Sequence, residues 1–166
     1  MKSIIRGSLG AAAFLVALSA CDSSEPLRDP AYFEGLGFEK TLEFVRTCAA
    51  EKKSLVDKSD AEGLDSFAKS SHGKNCHTGF DYAVKQEAEL VSGKAKLFAS
   101  ANSEEEIKQL KKTIYDGTGS RLGDALVIFK DWKTSDLSRA YFFADQAAGS
   151  RQTKIMIEKM GNGIKR

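Results

Sequence analysis

Apolar residues recur every three or four positions over much of the chain, which is the spacing that places them on one side of a helix. The first such stretch starts at Phe38 and ends near Val56, and Cys48 lies on its apolar side. The longest stretch follows Cys76 and extends for about five turns. Its apolar positions are Phe80, Val84, Ala88, Val91, Ala95 and Phe98. The pattern therefore predicts two amphipathic helices, one on each side of the segment between the two cysteines.

Two capping boxes predict where further helices begin. Ser59 and Glu62 have the Ser-x-x-Glu spacing, and a short apolar stretch follows them. Ser103 and Glu106 form the second box, before a stretch with Ile107, Leu110 and Ile114 on one side. We therefore expect a short helix before the polar segment at residues 70–77, and a longer one before the glycine-rich segment that follows Ile114.

Three short apolar runs come last, each bounded by polar turn residues, and they predict three antiparallel strands at residues 125–129, 140–144 and 153–160. For residues 138–146 the sequence leaves strand and helix open, because short apolar runs do not settle the question by periodicity. The expected fold is α+β, with N-terminal helices packed on a small C-terminal antiparallel sheet. Residues 31–166 are expected to form a single globular domain.

The first twenty residues have the order of a secretory signal peptide. Lys2 and Arg6 precede an uncharged, mainly apolar run that reaches residue 20. This run is shorter than the roughly 20 residues that a permanent transmembrane helix needs. We therefore exclude residues 1–20 from the fold and expect the mature chain to begin at Cys21.

Leu18, Ser19, Ala20 and Cys21 resemble the lipobox of bacterial lipoproteins. In that family the cysteine sulfur receives a diacylglycerol, the peptide bond before it is cut, and the new amino terminus is usually acylated. The resemblance implies lipidation of Cys21 and a membrane anchor of two or three acyl chains, which is enough for stable attachment. Asp22 resembles the signal that keeps such proteins at the periplasmic face of the inner membrane, and the outer membrane is the alternative.

Residues 21–30 are polar, contain both prolines of the chain and predict a short tether between lipid and domain. The aromatic pair at residues 32–33, the helix that reaches Cys48 and the second cysteine are similar to plasmid-encoded exclusion lipoproteins. This likeness covers residues 21–90. The distance from Cys48 to Cys76 is longer than in that family, and the C-terminal part has no counterpart there.

The charge of the mature chain is balanced. Without Lys2 and Arg6, 23 basic residues stand against 23 acidic ones. Binding to nucleic acid or to an anionic membrane surface requires a basic excess or a dense basic patch. We therefore expect no nucleic-acid partner, and we expect the membrane to be held through the lipid on Cys21.

Cys48 and Cys76 form an even pair once the lipidated cysteine is set aside, and an exported chain favours a disulfide between them. Such a bond contributes about 3.5 kcal/mol to stability in the chain-entropy model. The alternative is a metal site that also uses His72 and His77, although zinc ligands normally come in closer pairs. A haem attachment site is excluded, because Gly73 stands where C-x-x-C-H requires a cysteine. No metal or cofactor is expected.

The glycine-rich segment at residues 117–123 invites an anionic ligand, with Arg121 as a bidentate contact. Its spacing matches neither a Rossmann loop nor a P-loop, so a flexible connection is the favoured interpretation. His72 and His77 are the two imidazoles of the chain, and both fall in the polar segment expected to be a loop. No catalytic arrangement is evident, and we expect a protein that is not an enzyme.

Aromatic residues of the predicted strands offer a contact surface if helices cover the other face of the sheet. Trp132, Tyr141 and Phe143, together with Arg121, are the candidate binding residues, and burial in the core is the alternative for the aromatic ones. The sequence thus predicts a lipid-anchored envelope protein that binds another protein, as an exclusion, immunity, pilotin or secretion or conjugation assembly factor would. The alternative is a periplasmic enzyme or small-ligand-binding lipoprotein that uses His72, His77 or residues 117–123.

Overall fold

The computed structural model describes residues 25–115, 120–129 and 134–163. Within them the chain forms seven α-helices and one 3-10 helix, and no strand. In chain order they are α1 (Pro30–Leu36), α2 (Phe38–Asp57), α3 (Ala61–Lys69), α4 (Ser71–Ala95), the 3-10 helix (Lys96–Ser100), α5 (Glu104–Ile114), α6 (Asp124–Ile128) and α7 (Ser135–Gly163).

The expected C-terminal sheet, and with it the α+β fold, is wrong for the described residues. Residues 125–129 coincide with the short helix α6, and residues 140–144 and 153–160 belong to the single long helix α7. The segment 138–146, which the sequence left open, is therefore helical. The buried positions of α7 are mostly alanines, and Phe142 and Phe143 point outward, so its helical period is hidden in the sequence. These buried positions are Leu137, Ala140, Ala144, Ala148 and Ile155.

α4 is the central helix, and α2 packs against it in the opposite direction. Cys48 of α2 is bonded to Cys76 of α4, with their Cα atoms 5.7 Å apart, so the predicted disulfide is confirmed. Three residues in and beside these two helices are fully buried: Phe33, Val45 and Phe80. The covalent link and the core beside it fix the register of α2 on α4.

α7 packs on α4 and continues past its end. Tyr141 of α7 contacts Glu87 of α4, and Arg151 contacts the carbonyl of Ala101 after the 3-10 helix. The two helices therefore run in the same direction. α5 runs opposite to α7. Tyr115, which follows the last turn of α5, contacts Asp145 near the middle of α7, whereas Glu104 in the first turn of α5 contacts Lys159 near the C-terminal end of α7.

The N-terminal cap of α5 is the one that the sequence predicts, whereas the cap of α3 is a different residue. The Ser103 hydroxyl accepts a hydrogen bond of 3.1 Å from the Glu106 backbone N–H, as the second capping box predicts. α3 is capped by Asp60, whose carboxylate accepts a bond of 2.8 Å from the Gly63 N–H. Ser59 lies one residue before that cap, and its φ of 53° is left-handed.

α4 begins at Ser71, so the loop expected over residues 70–77 is wrong. The Ser70 hydroxyl caps the helix by accepting a bond of 2.9 Å from the Gly73 N–H. A Cβ at Gly73 would lie 1.8 Å from the carbonyl oxygen of Phe67, so only glycine lets α4 approach α3 this closely. Because Gly73 carries no side chain, this buried position does not register as apolar in the sequence pattern. The pattern therefore did not indicate the first turns of α4.

The described end of the predicted tether lies against α4. The Asn75 side-chain amide donates a bond of 3.0 Å to the Pro26 carbonyl. Its carbonyl oxygen accepts one of 2.8 Å from the Arg28 N–H. Cys21 and Asp22 lie outside the described residues. Within those residues, no helix has the length and apolar character needed to cross a membrane.

Candidate functional site

His72 lies between two carboxylates at the N-terminal end of α4. Its Nε2 is 2.7 Å from Glu51 Oε2, and its Nδ1 is 3.3 Å from Glu25 Oε2. The same Nε2 lies 3.6 Å from Cys76 Sγ. The His72 side chain is 34% exposed, whereas Cys48 and Cys76 are fully buried. We call these five residues the His72 cluster.

The His72 cluster contains part of the metal site that the sequence left as an alternative. Cys48 Sγ, Cys76 Sγ and a His72 ring nitrogen all lie within 4.8 Å of one another. In this structure the two sulfurs are bonded to each other. His77 lies elsewhere, with its ring centroid 5.2 Å from that of Phe129, and burial lowers its pKa. A site that uses both histidines is therefore wrong, because the adjacent residues Cys76 and His77 project about 100° apart around α4.

Glu87 is a buried carboxylate that connects three segments. It is 1% exposed, and its Oε1 accepts bonds of 2.8 Å from the Arg121 N–H and 2.5 Å from the Tyr141 hydroxyl. Its Oε2 has no hydrogen-bond partner among the described residues. Burial and the bond to Glu87 raise the pKa of Tyr141. Sequence reasoning missed Glu87, although its place between Val84 and Val91 puts it on the buried side of α4.

A pocket of about 230 Å³ lies beside Tyr141. The rings of Tyr115 and Tyr141 stack with centroids 5.3 Å apart, and the Tyr115 hydroxyl donates a bond of 2.5 Å to Asp145. The lining residues are Tyr115, Ser120, Leu126, Thr134, Leu137, Ser138 and Tyr141. Pockets for small molecules usually enclose roughly 300–1,000 Å³, so this one suits a very small ligand at most.

The Arg121 side chain makes contacts within the fold. Its guanidinium contacts both carboxylate oxygens of Glu39, at 2.8 and 2.6 Å, and lies 5.0 Å from the centre of the Phe38 ring. This contact lowers the pKa of Glu39. Of the predicted anion-binding segment, residues 117–119 lie outside the described residues. The rest of the segment joins α2 through Arg121, which supports a connecting role.

The candidate aromatic residues lie in different environments. Tyr141 is half-buried against Glu87, and Trp132 lies outside the described residues. Phe143 is 57% exposed, as is its neighbour Phe142, and the two ring centroids are 5.7 Å apart. Phe142 and Phe143 thus present a paired aromatic surface to solvent.

The exposed aromatic pair belongs to a longer uncharged surface along α7, opposite its buried side. It consists of nine exposed residues, none of them charged: Phe142, Phe143, Gln146, Gly149, Ser150, Thr153, Met156, Ile157 and Met160. We call these residues the α7 outer face. In a chain with 29% charged residues, a solvent-exposed helix face normally carries charge. The exposed side of α5 does so, with Glu104, Glu105, Lys108 and Lys112.

The chain matches no protein-family model, no curated protein and no solved structure. The features that bear on function are the His72 cluster, Glu87 and the α7 outer face. Glu87 is buried and the His72 cluster is partly exposed, whereas the α7 outer face is exposed to solvent over about five helical turns.

Proposed function

We propose that the chain is a lipoprotein anchored through Cys21 on the periplasmic side of the inner membrane, and that it acts by binding another envelope protein. The α7 outer face is the proposed binding surface. The observation that carries the proposal is the absence of charge from this exposed face together with its five large apolar side chains. Exclusion, immunity, pilotin and secretion or conjugation assembly factors all act by binding of this kind.

The position of the tether supports one orientation of the domain. Four peptide units join Cys21 to Glu25, so the lipidated sulfur would lie within about 14 Å of Glu25 along the chain. Glu25 is held at His72, and Asn75 holds the residues that follow it. The N-terminal end of α4 would therefore face the membrane.

The α7 outer face extends away from that end. Tyr141 contacts Glu87, which lies about 22 Å along α4 from His72. Lys159 contacts Glu104 at 3.0 Å, beyond the C-terminal end of α4. The methionine-rich end of the face would thus be the part of the domain farthest from the lipid. Another protein can reach it there, whereas lipid headgroups cannot.

The spacing of the outer face favours a helical partner. Its central line alternates steps of four and three residues, which is the heptad spacing of a helix–helix seam: Phe142, Gln146, Gly149, Thr153, Met156 and Met160. Gly149 and Ser150 lie in the middle, where small side chains let a second helix approach closely. A Cβ at Gly149 would meet nothing within 4 Å, so packing within the domain does not require this glycine. An amphipathic helix of an envelope protein is therefore the occupant that fits best.

Site-specific photocrosslinking in living cells tests this proposal. Crosslinking residues at Phe143 and at Ile157 should capture the same protein, because both positions lie on one face of α7. The matched control is Lys108, on the charged exposed side of α5, which should capture nothing. Gly149→Leu should reduce both crosslinks at least tenfold, because its side chain occupies the space of the approaching helix while the free domain leaves that space open.

Four outcomes would contradict the proposed partner. Crosslinks between two copies of this chain would show self-association through the face. Lipid adducts at Phe143 would assign the face to the membrane. Equal capture at Lys108, or capture that Gly149→Leu does not change, would show contact without a specific surface.

A small-ligand-binding lipoprotein is the second candidate, and Glu87 is the observation that favours it. The Oε2 atom of Glu87 lacks a hydrogen-bond partner among the described residues, and its Oε1 partner Tyr141 lines the adjacent pocket. A carboxylate in this place suits a small cationic or hydroxyl-bearing molecule. Native mass spectrometry of the purified protein would support this candidate if it finds a bound molecule that Glu87→Gln removes.

A further inference from the structure

The His72 cluster brings together two sulfurs, an imidazole and a carboxylate, which are atom types that bind zinc. Cys48 Sγ, Cys76 Sγ and a His72 ring nitrogen lie within 4.8 Å of one another, and Glu51 Oε2 lies 2.7 Å from His72 Nε2. Thiolate, imidazole and carboxylate are the groups that bind Zn²⁺ in tetrahedral protein sites. The disulfide withholds the two sulfurs as long as it is intact.

We propose that reduction of the Cys48–Cys76 disulfide creates a Zn²⁺ site with Cys48, Cys76 and His72 as ligands and a fourth position open to solvent beside Glu51. A dithiol reductant supplies the two electrons. One of its thiolates attacks a disulfide sulfur and displaces the other, and its second thiol resolves the mixed disulfide. The reductant leaves as a disulfide, and the two cysteines become thiols. Zn²⁺ then replaces the two thiol protons, which pass to solvent.

The positions of Cys48 and Cys76 suit both the disulfide and the proposed zinc site. Their Cα atoms are 5.7 Å apart. Two Zn–S bonds of about 2.3 Å at a tetrahedral angle place the sulfurs about 3.8 Å apart, which rotation about the side-chain bonds reaches from the bonded pair. α2 and α4 can therefore keep their packing while the bonded sulfurs become two ligands of one ion.

Glu25 occupies the place that a carboxylate takes behind a metal-binding histidine. Its Oε2 lies 3.3 Å from His72 Nδ1, so it can accept the Nδ1–H and leave the Nε2 lone pair for the ion. Such a partner fixes the ring orientation, and its loss commonly weakens metal binding about 10- to 100-fold. Glu25 is the first described residue and belongs to the predicted tether, so the site would connect the redox state of the two cysteines to the tether.

Cobalt binding to the full chain tests the proposal. The protein is purified in detergent with Cys21→Ser, so that only Cys48 and Cys76 can supply thiols, and it is reduced with a phosphine. The reduced protein should bind one Co²⁺ per chain with thiolate-to-cobalt absorption, which Zn²⁺ abolishes by displacement, and the oxidised protein should show no such absorption. His72→Ala should weaken binding at least tenfold, and Glu25→Gln about 10- to 100-fold. The matched control is His77→Ala, which changes the neighbouring imidazole and should leave binding unchanged.

Circular dichroism distinguishes a built site from binding by an unfolded chain. Zn²⁺ should raise the melting temperature of the reduced protein and leave that of the oxidised protein unchanged. Equal weakening by His72→Ala and His77→Ala would overturn the proposal, as would a helical reduced protein without thiolate–cobalt absorption. A reduced chain that is unfolded and that Zn²⁺ does not refold would overturn it as well.

Discussion

The Tyr141 hydroxyl donates a hydrogen bond of 2.5 Å to Oε1 of Glu87 and so joins α7 to α4 inside the domain. The Arg121 N–H donates to the same oxygen. One buried carboxylate therefore holds together the central helix, the last helix and the segment before α6. Hydrogen bonds to charged groups contribute about 1.5–3 kcal/mol, and more is lost when a buried charge is left without its donor.

Tyr141→Phe should lower the free energy of unfolding by about 1.5–3 kcal/mol, because it removes a donor from a buried carboxylate. Tyr115→Phe is the matched control. It removes a similar bond to Asp145, which is exposed, so water replaces the lost donor and the loss should be smaller. Urea denaturation measures both, and equal losses would show that the burial of Glu87 does not matter.

Alkaline conditions should destabilise the fold through two tyrosines. Burial, followed by the bonds to Glu87 and Asp145, raises the pKa of Tyr141 and of Tyr115. In the unfolded chain tyrosine ionises near pH 10, so these residues contribute stability that is complete below about pH 10 and is lost as pH rises through their folded pKa. Tyrosinate absorbance should therefore show a phase that coincides with loss of helical circular dichroism. Tyr141→Phe should shrink that phase, and an unchanged phase would contradict the assignment.

Replacing two helical glycines, Gly149 and Gly73, with alanine should change the free energy of unfolding in opposite directions. At Gly149 a Cβ meets nothing within 4 Å, so Gly149→Ala should raise the free energy of unfolding by about 1 kcal/mol. At Gly73 it would lie 1.8 Å from the Phe67 carbonyl oxygen, so Gly73→Ala should lower it by at least about 2 kcal/mol. Thermal melts of both variants check this pair, and destabilisation by Gly149→Ala would place Gly149 in internal packing instead of at a partner surface.

The proposed lipid anchor depends on one sulfur atom. Cys21→Ala should abolish incorporation of labelled fatty acid and leave a precursor that retains residues 1–20. Asp22→Ser should leave lipidation intact and move the protein from the inner to the outer membrane. Labelled fatty acid that persists in Cys21→Ala would contradict the lipoprotein assignment, and an unchanged location of Asp22→Ser would contradict the sorting role alone.

Helices that pack through large apolar side chains were predictable from the sequence. The stripes of α2, α5 and the later turns of α4 contain phenylalanine, leucine, isoleucine and valine, and most of these residues are buried or half-buried as the period predicts, whereas Val56 is 48% exposed. The Ser103 cap and the disulfide followed from local chemistry, a capping box in one case and a cysteine count in the other. Both depend on few residues and little on the rest of the fold.

α7 and the first turns of α4 were not predictable, because small residues do the packing there. Ala144 and Ala148 are buried, but alanine contributes little to an apolar pattern, and the exposed Phe142 and Phe143 made the same segment look like a strand. Gly149 and Ser150 suggested a turn in what is the middle of a helix. The His72 cluster needed the fold as well, since Glu25 and His72 are 47 positions apart in sequence.

Asn75 determines how a pulling force on the tether would enter the domain. Its side chain is hydrogen-bonded to the backbone at Pro26 and Arg28. The next residue, Cys76, is covalently joined to Cys48. Tension would load the Glu25–His72 contact and the two Asn75 bonds and then pass through the disulfide into α2 and α4 together. The link blocks sliding of one helix past the other, so the load is shared between two helices.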